Sequence, residues 1–280
     1  MIVNGYNEMK PFLPNVEMKG SPSIFMDALT VAQDDLVDMI LGATLEERVE
    51  ARNDVDGKLL KRCQRVIATD AFLRSIPEMD LVLTDAGFGV VSNQSFVPAS
   101  KDRIQNLTRS LQAKVDDSRD RLVTLLMAEY DDWRATEEFG RLSDGLFLTF
   151  ADFRDAAVLN ARTQPWFPAN WSDFYRMNGT LNVTLMTTVA SYISREYAEE
   201  ILEKIRDKET FLPMETKVLK LVKAAAAAGA MNDSETAVNQ AIKAARLMQD
   251  NPDDFPTFIA SKASNDLTKQ YTDTPIFSLL

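Results

Sequence analysis

The sequence predicts a mainly α protein: an elongated bundle of long helices with one small β-hairpin and extended N- and C-terminal arms. Three observations predict it. Apolar residues recur at helical spacing through most of residues 21 to 250. Only the stretch near 80–98 carries the short apolar runs and turn residues of a hairpin. Both ends hold proline without a sustained period. With 45% hydrophobic and 26% charged residues, the chain has ample material for a core. The organisation expected is an arm over 1–20, a helical domain over 21–250 and an extension over 251–280.

Residues 1–20 contain Gly5, Pro11, Pro14 and Gly20, the pattern of an arm that needs a surface to lie on. Ser21 followed by Pro22 is a helix start, and Ile24, Ala28, Val31, Leu36, Met39 and Ile40 follow at helical spacing until Gly42. A second helical stretch runs from Leu45 to Ser75, with Val55, Leu59, Val66, Phe72 and Leu73 among its apolar positions, and Pro77 bars continuation. Next come Leu81-Val82-Leu83, Gly87-Phe88-Gly89-Val90-Val91 and Ser95-Phe96-Val97-Pro98, a hairpin with its turn near Ser92-Asn93-Gln94. A lone hairpin is marginal in water, so it packs on helices or pairs with another chain.

Ser100 caps the strongest element, a helix to Glu137 with Ile104, Leu107, Leu111, Val115, Leu122, Leu125, Leu126 and Trp133 in its stripe. At about 1.5 Å per residue this is a rod of roughly 55 Å, long enough to serve as a strut. An aromatic zone from Phe139 to Tyr175 follows, with Phe147, Phe150, Phe153, Trp166, Phe167, Trp171 and Phe174. It reads either as a core around irregular backbone or as an anchor surface for a partner. Thr180 opens a helix to Lys208, and Pro213 starts another that stops at Gly229. Asn232 to Ser234 cap a last helix, whose Ala241 and Ala245 let it approach its predecessor closely. The tail Ile276-Phe277-Ser278-Leu279-Leu280 is apolar and prefers a groove to water. No internal repeat is evident.

The exclusions are sharper than the motifs. A net charge of −11 repels nucleic-acid phosphates, so tight DNA binding is not expected. No apolar run approaches a membrane span, and Met1 to Gly5 has no signal-peptide character. The absence of histidine removes Ser-His and Cys-His nucleophile systems and His-ligated metal. An enzyme would be left with carboxylates, lysine, tyrosine or a carboxylate-bound hard metal; Asp34, Asp38, Asp116 and Asp120 are the first residues to suspect. Solvated helix faces explain these acids more simply. Cys63 reads as a packed small hydrophobe. Gly87-Phe88-Gly89 lacks the lysine and following helix of a phosphate loop. No catalytic residue, metal site or cofactor is expected.

Lys61-Arg62-Cys63-Gln64-Arg65-Val66-Ile67-Ala68, Ser75-Ile76-Pro77-Glu78-Met79-Asp80-Leu81-Val82-Leu83, Thr84-Asp85-Ala86-Gly87-Phe88-Gly89-Val90-Val91-Ser92-Asn93 and Val97-Pro98-Ala99-Ser100 together carry a resemblance. Across residues 55–135 the chain resembles a family of tailed-bacteriophage and prophage proteins encoded among virion structural genes. The resemblance implies a head-to-tail connector, a neck ring below the portal, and transfers no catalytic residues. It implies about twelve copies of the chain in a closed heterologous ring, with the portal and an adjacent neck or tail ring protein as partners. DNA would pass through the lumen without sticking to an acidic wall. Synthesis in the host bacterial cytoplasm and residence in the virion neck follow.

Candidate interface residues are Phe88, Val90, Val91 and Phe96 on the hairpin, Trp166, Phe167, Trp171 and Phe174 in the aromatic zone, and Ile276, Phe277, Leu279 and Leu280 in the tail. The alternatives are a helical scaffold or regulatory protein of the bacterial cytoplasm, and a carboxylate-metal enzyme.

Overall fold

Helical spacing becomes helix along most of the computed structural model, which describes residues 1–13, 25–52, 56–79, 81–84, 87–90, 100–157 and 167–265. The chain divides into two compact units, Met1–Gly140 and Arg141–Leu280. The expected boundaries at residues 20 and 250 do not mark this division.

In the first unit the N-terminal residues are not an extended arm. Helix α1 (Tyr6–Met9) and a 3-10 turn (Lys10–Phe12) lie against their own unit. Ile2, Val3 and Met9 are fully buried, and burying each such side chain contributes about 1.5–3 kcal/mol. The Ile2 N–H donates to Gln33 Oε1 at 2.9 Å, and its carbonyl accepts from Arg52 Nη2 at 3.2 Å. The Met1 ammonium pairs with Glu50 at 2.6 Å. The surface that residues 1–13 needed is supplied by the same chain.

The hydrogen bond from Arg52 holds the Glu8 carboxyl below the usual carboxylate range, against a smaller opposing effect of burial. A depressed folded pKa adds stability above the unfolded value, about 4.3, and loses it as pH falls through the folded one. Acidification from pH 5 to 3 is therefore expected to raise amide exchange at Tyr6–Met9 ahead of the α4 core. Equal onset in both segments would contradict this.

Helix α2 (Met26–Leu36) runs into a π-helical turn (Val37–Leu41), and Gly42 ends it at φ 75°, ψ 159°. The predicted start at Ser21-Pro22 lies outside the described residues. Helices α3 (Ala43–Glu50) and α4 (Gly57–Met79) replace the single expected stretch 45–75. The chain leaves α3 through Arg52 at φ 54°. Pro77 does not bar α4, which continues to Met79; its missing N–H falls in the last turn, where little helix remains to lose.

Two strands, β1 (Leu81–Thr84) and β2 (Gly87–Val90), pair antiparallel with Leu81 opposite Val90 and Thr84 opposite Gly87. The expected turn at Ser92-Asn93-Gln94, with Val91 and Phe96, lies outside the described residues.

Helix α5 (Lys101–Glu129) spans 29 residues, about 43 Å at the α-helical rise, and is shorter than expected. It stops at Tyr130, and a 3-10 turn (Asp131–Ala135) swings Trp133 into the core. There the indole N–H donates to the Ile40 carbonyl at 2.6 Å and the ring meets Phe139 at 5.1 Å. Helix α4 packs between α2 and α5. Cys63, buried with Val66 and Ile67 on α4, is core, and burial pushes its thiol pKa up.

Helix α6 (Glu137–Ser143) leads into the second unit, where Thr149 and Asn170 cap α7 (Phe150–Ala156) and α8 (Trp171–Thr184) through their side-chain oxygens. The helix expected from Thr180 begins at Trp171, because Asn170 Oδ1 accepts the Asp173 N–H at 2.9 Å. It continues through a π-helical turn (Leu185–Val189) and α9 (Ala190–Ile193), then breaks at Ser194 before α10 (Arg195–Asp207). Helix α11 (Pro213–Ala230) packs on α12 (Ser234–Gln249) through alanines, Ala225 to Ala228 facing Ala237, Ala241, Ala244 and Ala245 as buried positions. The described part of the C-terminal extension folds back too. A 3-10 turn (Pro252–Asp254) and α13 (Pro256–Ile259) bury Phe255 and Phe258, with Phe255 edge-on to Tyr197 at 5.7 Å.

Gly229 does not stop α11; it lies within the helix where α11 meets α8 and α12. A Cβ there would stand 2.5 Å from the Thr184 methyl carbon and 3.4 Å from the Ala237 Cβ. Gly229→Ala is expected to destabilise by about 1–3 kcal/mol through overpacking, despite alanine's helix preference of about 1 kcal/mol. Adding Thr184→Ser removes the obstructing methyl, so the double variant should have the higher urea midpoint. A single variant as stable as the parent would contradict the contact.

The backbone also shows a correspondence that the residues conceal. In the first unit, α2, its π-turn and Gly42 (φ 75°, ψ 159°) lead into α3, left-handed Arg52 (φ 54°), α4 and α5. In the second, α8, its π-turn, α9 and Ser194 (φ 71°, ψ 153°) lead into α10, left-handed Lys208 (φ 58°), α11 and α12. Leu45 and Val49 are buried after the first hinge at the offsets that Tyr197 and Ile201 occupy after the second.

Candidate functional site

Two of the aromatic residues expected to anchor a partner are core. Trp171 and Phe174 are fully buried. Asn170 and Thr149, as caps, set α8 and α7 so that Phe174 meets Phe150 at 5.7 Å and Phe153 at 5.6 Å. Phe153 also meets Phe147 and Phe167, at 5.4 and 5.9 Å. Phe167 is only partly exposed. Stacking among apolar rings outweighs exposure, so Trp171 and Phe174 are corrected from interface to core. Of the other interface candidates, Phe88 and Val90 stand in β2, while Val91, Phe96, Trp166, Ile276, Phe277, Leu279 and Leu280 lie outside the described residues.

Three members of the acidic clusters are held in local contacts. Asp35 pairs with Arg74, Asp117 pairs with Arg121 at 2.8 Å, and Asp116 accepts from Gln112 Nε2 at 3.0 Å. Among the described residues no group of three or more carboxylate or thiol side chains is placed to hold a metal. On α11, Lys223 pairs with Asp152 and lies over the Phe147 ring at 5.3 Å. That contact supports the aromatic core.

The second unit holds a cavity of about 440 Å³ between α6 and α8. Arg141, Asp144, Tyr175, Arg176, Asn178 and Asn182 line it, with Gly145 and Gly179 in its wall. Tyr175 is positioned by stacking on Trp171, centroids 5.8 Å apart and planes inclined by 14°. Asp144 pairs with Arg206 at 3.4 Å, and Arg176 with Asp173 at 3.5 Å. Asn178 is only 8% exposed, yet its carboxamide nitrogen and oxygen and the Asn182 side-chain oxygen have no hydrogen-bond partner among the described residues. Buried amides are nearly always satisfied. Sequence reasoning missed this site, although one signal was legible: Asn178 stands four residues after Phe174 and three before Leu181, on the apolar stripe.

Residues 22–141 match the model of a family of unknown function (DUF6712). The match ends beside the boundary of the first unit, so the cavity lies almost wholly outside it. No curated protein and no solved structure matches the chain.

Proposed function

We propose that this chain is a structural component of a tailed-phage virion, a non-catalytic subunit of the ring at the head-to-tail junction. In this reading it lies below the portal and beside a further neck or tail ring protein, and DNA passes through its lumen. One observation carries the reading. Among the described residues the sheet has only β1 and β2, and a two-stranded ribbon is a poor independent structure whose edges accept strands from a neighbour. It falls inside the stretch that resembles the phage family, directly before the long helix α5. The net charge of −11 supports a wall that lets DNA slide past. Because residues 1–13 and 251–265 pack on their own units, ring contacts in this reading rest on the hairpin.

That same back-folding favours the second reading, a free-standing helical scaffold or regulatory protein of the bacterial cytoplasm. Sedimentation velocity of the purified chain, alone and mixed with portal protein, separates the two. A closed ring of about twelve copies, or one that forms only on the portal, is the expected result. A stable monomer that ignores the portal overturns the connector reading. Tight duplex binding at physiological salt would overturn the non-adhesive wall.

A further inference from the structure

A ring built from one chain needs two different surfaces on each copy, one that gives a contact and one that receives it. Resting on the ring reading, we infer that the exposed face of α5 bearing Arg103, Leu107 and Lys114 docks on the acidic turn at residues 250–256 of a second copy.

The correspondence between the two units picks out the giving surface. Both long pairs, α4 with α5 and α11 with α12, are followed by a 3-10 turn and a short helix. Helix α12 buries its fourth residue, Ala237, whereas α5 buries nothing before its eleventh, Leu111. The excess of seven residues is about 10 Å of helix, and the second unit has no counterpart to it. Lys101 to Ser110 includes no buried residue. Arg103, Leu107, Ser110 and Lys114 share one helix face, and all four are exposed, Leu107 at 37%. Neither Arg103 nor Lys114 has an ion partner among the described residues. Lys101 and Arg109 extend the positive charge to other sides of the overhang, against Asp102 alone.

The receiving surface is the turn between α12 and α13. Asp250, Asp253 and Asp254 are exposed there, and so are Pro252 and Pro256. The contact of Tyr197 with Phe255 at 5.7 Å brings α10 alongside, and with it the exposed Glu196. None of these four carboxylates has a cation partner among the described residues. The acids answer Arg103 and Lys114, and the proline rings give Leu107 an apolar seat. Copies of net charge −11 repel one another, so a contact between them needs locally opposed charge of this kind. Duplex DNA would take the cations but leave the acids and prolines of the turn without a role.

The test is sedimentation velocity of the full chain, alone and on portal protein, at about 0.15 M salt. Arg103→Glu with Lys114→Glu sets like charges face to face and should weaken association about tenfold or more. The Tm should stay within about 2 °C of the parent's, because both side chains are exposed. Asp253→Lys with Asp254→Lys should do the same. All four substitutions in one chain rebuild the opposed pair in reverse and should return association to within about threefold of the parent. Leu107→Ala should weaken it about threefold or more. A ring that forms equally well in either reversed chain, or a quadruple variant that stays dissociated, overturns this contact while the ring reading stands. A parent chain that is monomeric even on the portal overturns both. Loss of duplex DNA binding in the reversed α5 chain, with association unchanged, assigns the overhang to nucleic acid and overturns the contact as well.

Discussion

Replacing Asp70 by alanine is expected to cost the first unit about 3–5 kcal/mol, the penalty for leaving a buried charge without its partner. Asp70 on α4 is 4% exposed and Arg119 on α5 is 2% exposed, with Arg119 Nη2 donating to Asp70 Oδ2 at 2.8 Å. The same carboxylate accepts from Arg74 Nε at 3.1 Å, and Arg74 reaches on to Asp35 of α2. One carboxylate thus joins the three main helices of the unit. With a urea slope of about 1–3 kcal/mol per molar, the loss moves the midpoint by roughly 1.5–3 M. Amide exchange at Val66–Ala71 and Leu122–Leu126 reports the same unit. The pair also contains its own control. Buried ion pairs are weak net stabilisers when replaced whole, so Asp70→Leu with Arg119→Met should recover most of the loss. A midpoint shift below about 0.5 M for Asp70→Ala would show that the guanidinium escapes to water and does not stay buried.

How far such features were readable before the coordinates depends on whether the chemistry that makes them is written in residue type. The apolar stripes of α2, α4, α5, α11 and α12 were, because burial at helical spacing is a composition pattern, and Gly42 was, because its backbone angle favours glycine. Breaks made by ordinary residues were not. Ile193, Tyr197, Ile201 and Ile205 keep four-residue spacing straight across Ser194, so the stripe hides a hinge at φ 71°. A serine in that region costs roughly 1–3 kcal/mol, offset in part by its hydroxyl, which accepts the Tyr197 N–H at 3.1 Å. Leu122, Leu126 and Trp133 similarly disguise the break at Tyr130. The fate of the terminal segments was illegible for another reason: Ile2, Val3, Met9, Phe255 and Phe258 are apolar enough for any groove, and only the fold decides whose groove it is. Asn178 shows the reverse case, a residue whose misplacement on an apolar stripe was visible while its unpaired amide was not.

Phe174→Ala is expected to destabilise the second unit by about 3–5 kcal/mol, and its value lies in separating two meanings of an aromatic cluster. As an anchor for a partner, Phe174 would be exposed in the free chain, and truncation would weaken the complex while leaving the Tm unchanged. As core, it sits on three rings at once, Phe150 at 5.7 Å, Phe153 at 5.6 Å and Trp171 at 6.0 Å, and alanine leaves a cavity that stacked neighbours close only partly. At roughly 2–4 °C per kcal/mol for units of this size, the melting transition should fall by about 10 °C. Phe174→Leu keeps most of the apolar volume and should lose less than half as much. Calorimetry on the isolated full-length chain reads this without any partner present. An unchanged melting temperature would return the cluster to the surface and reopen it as a docking face.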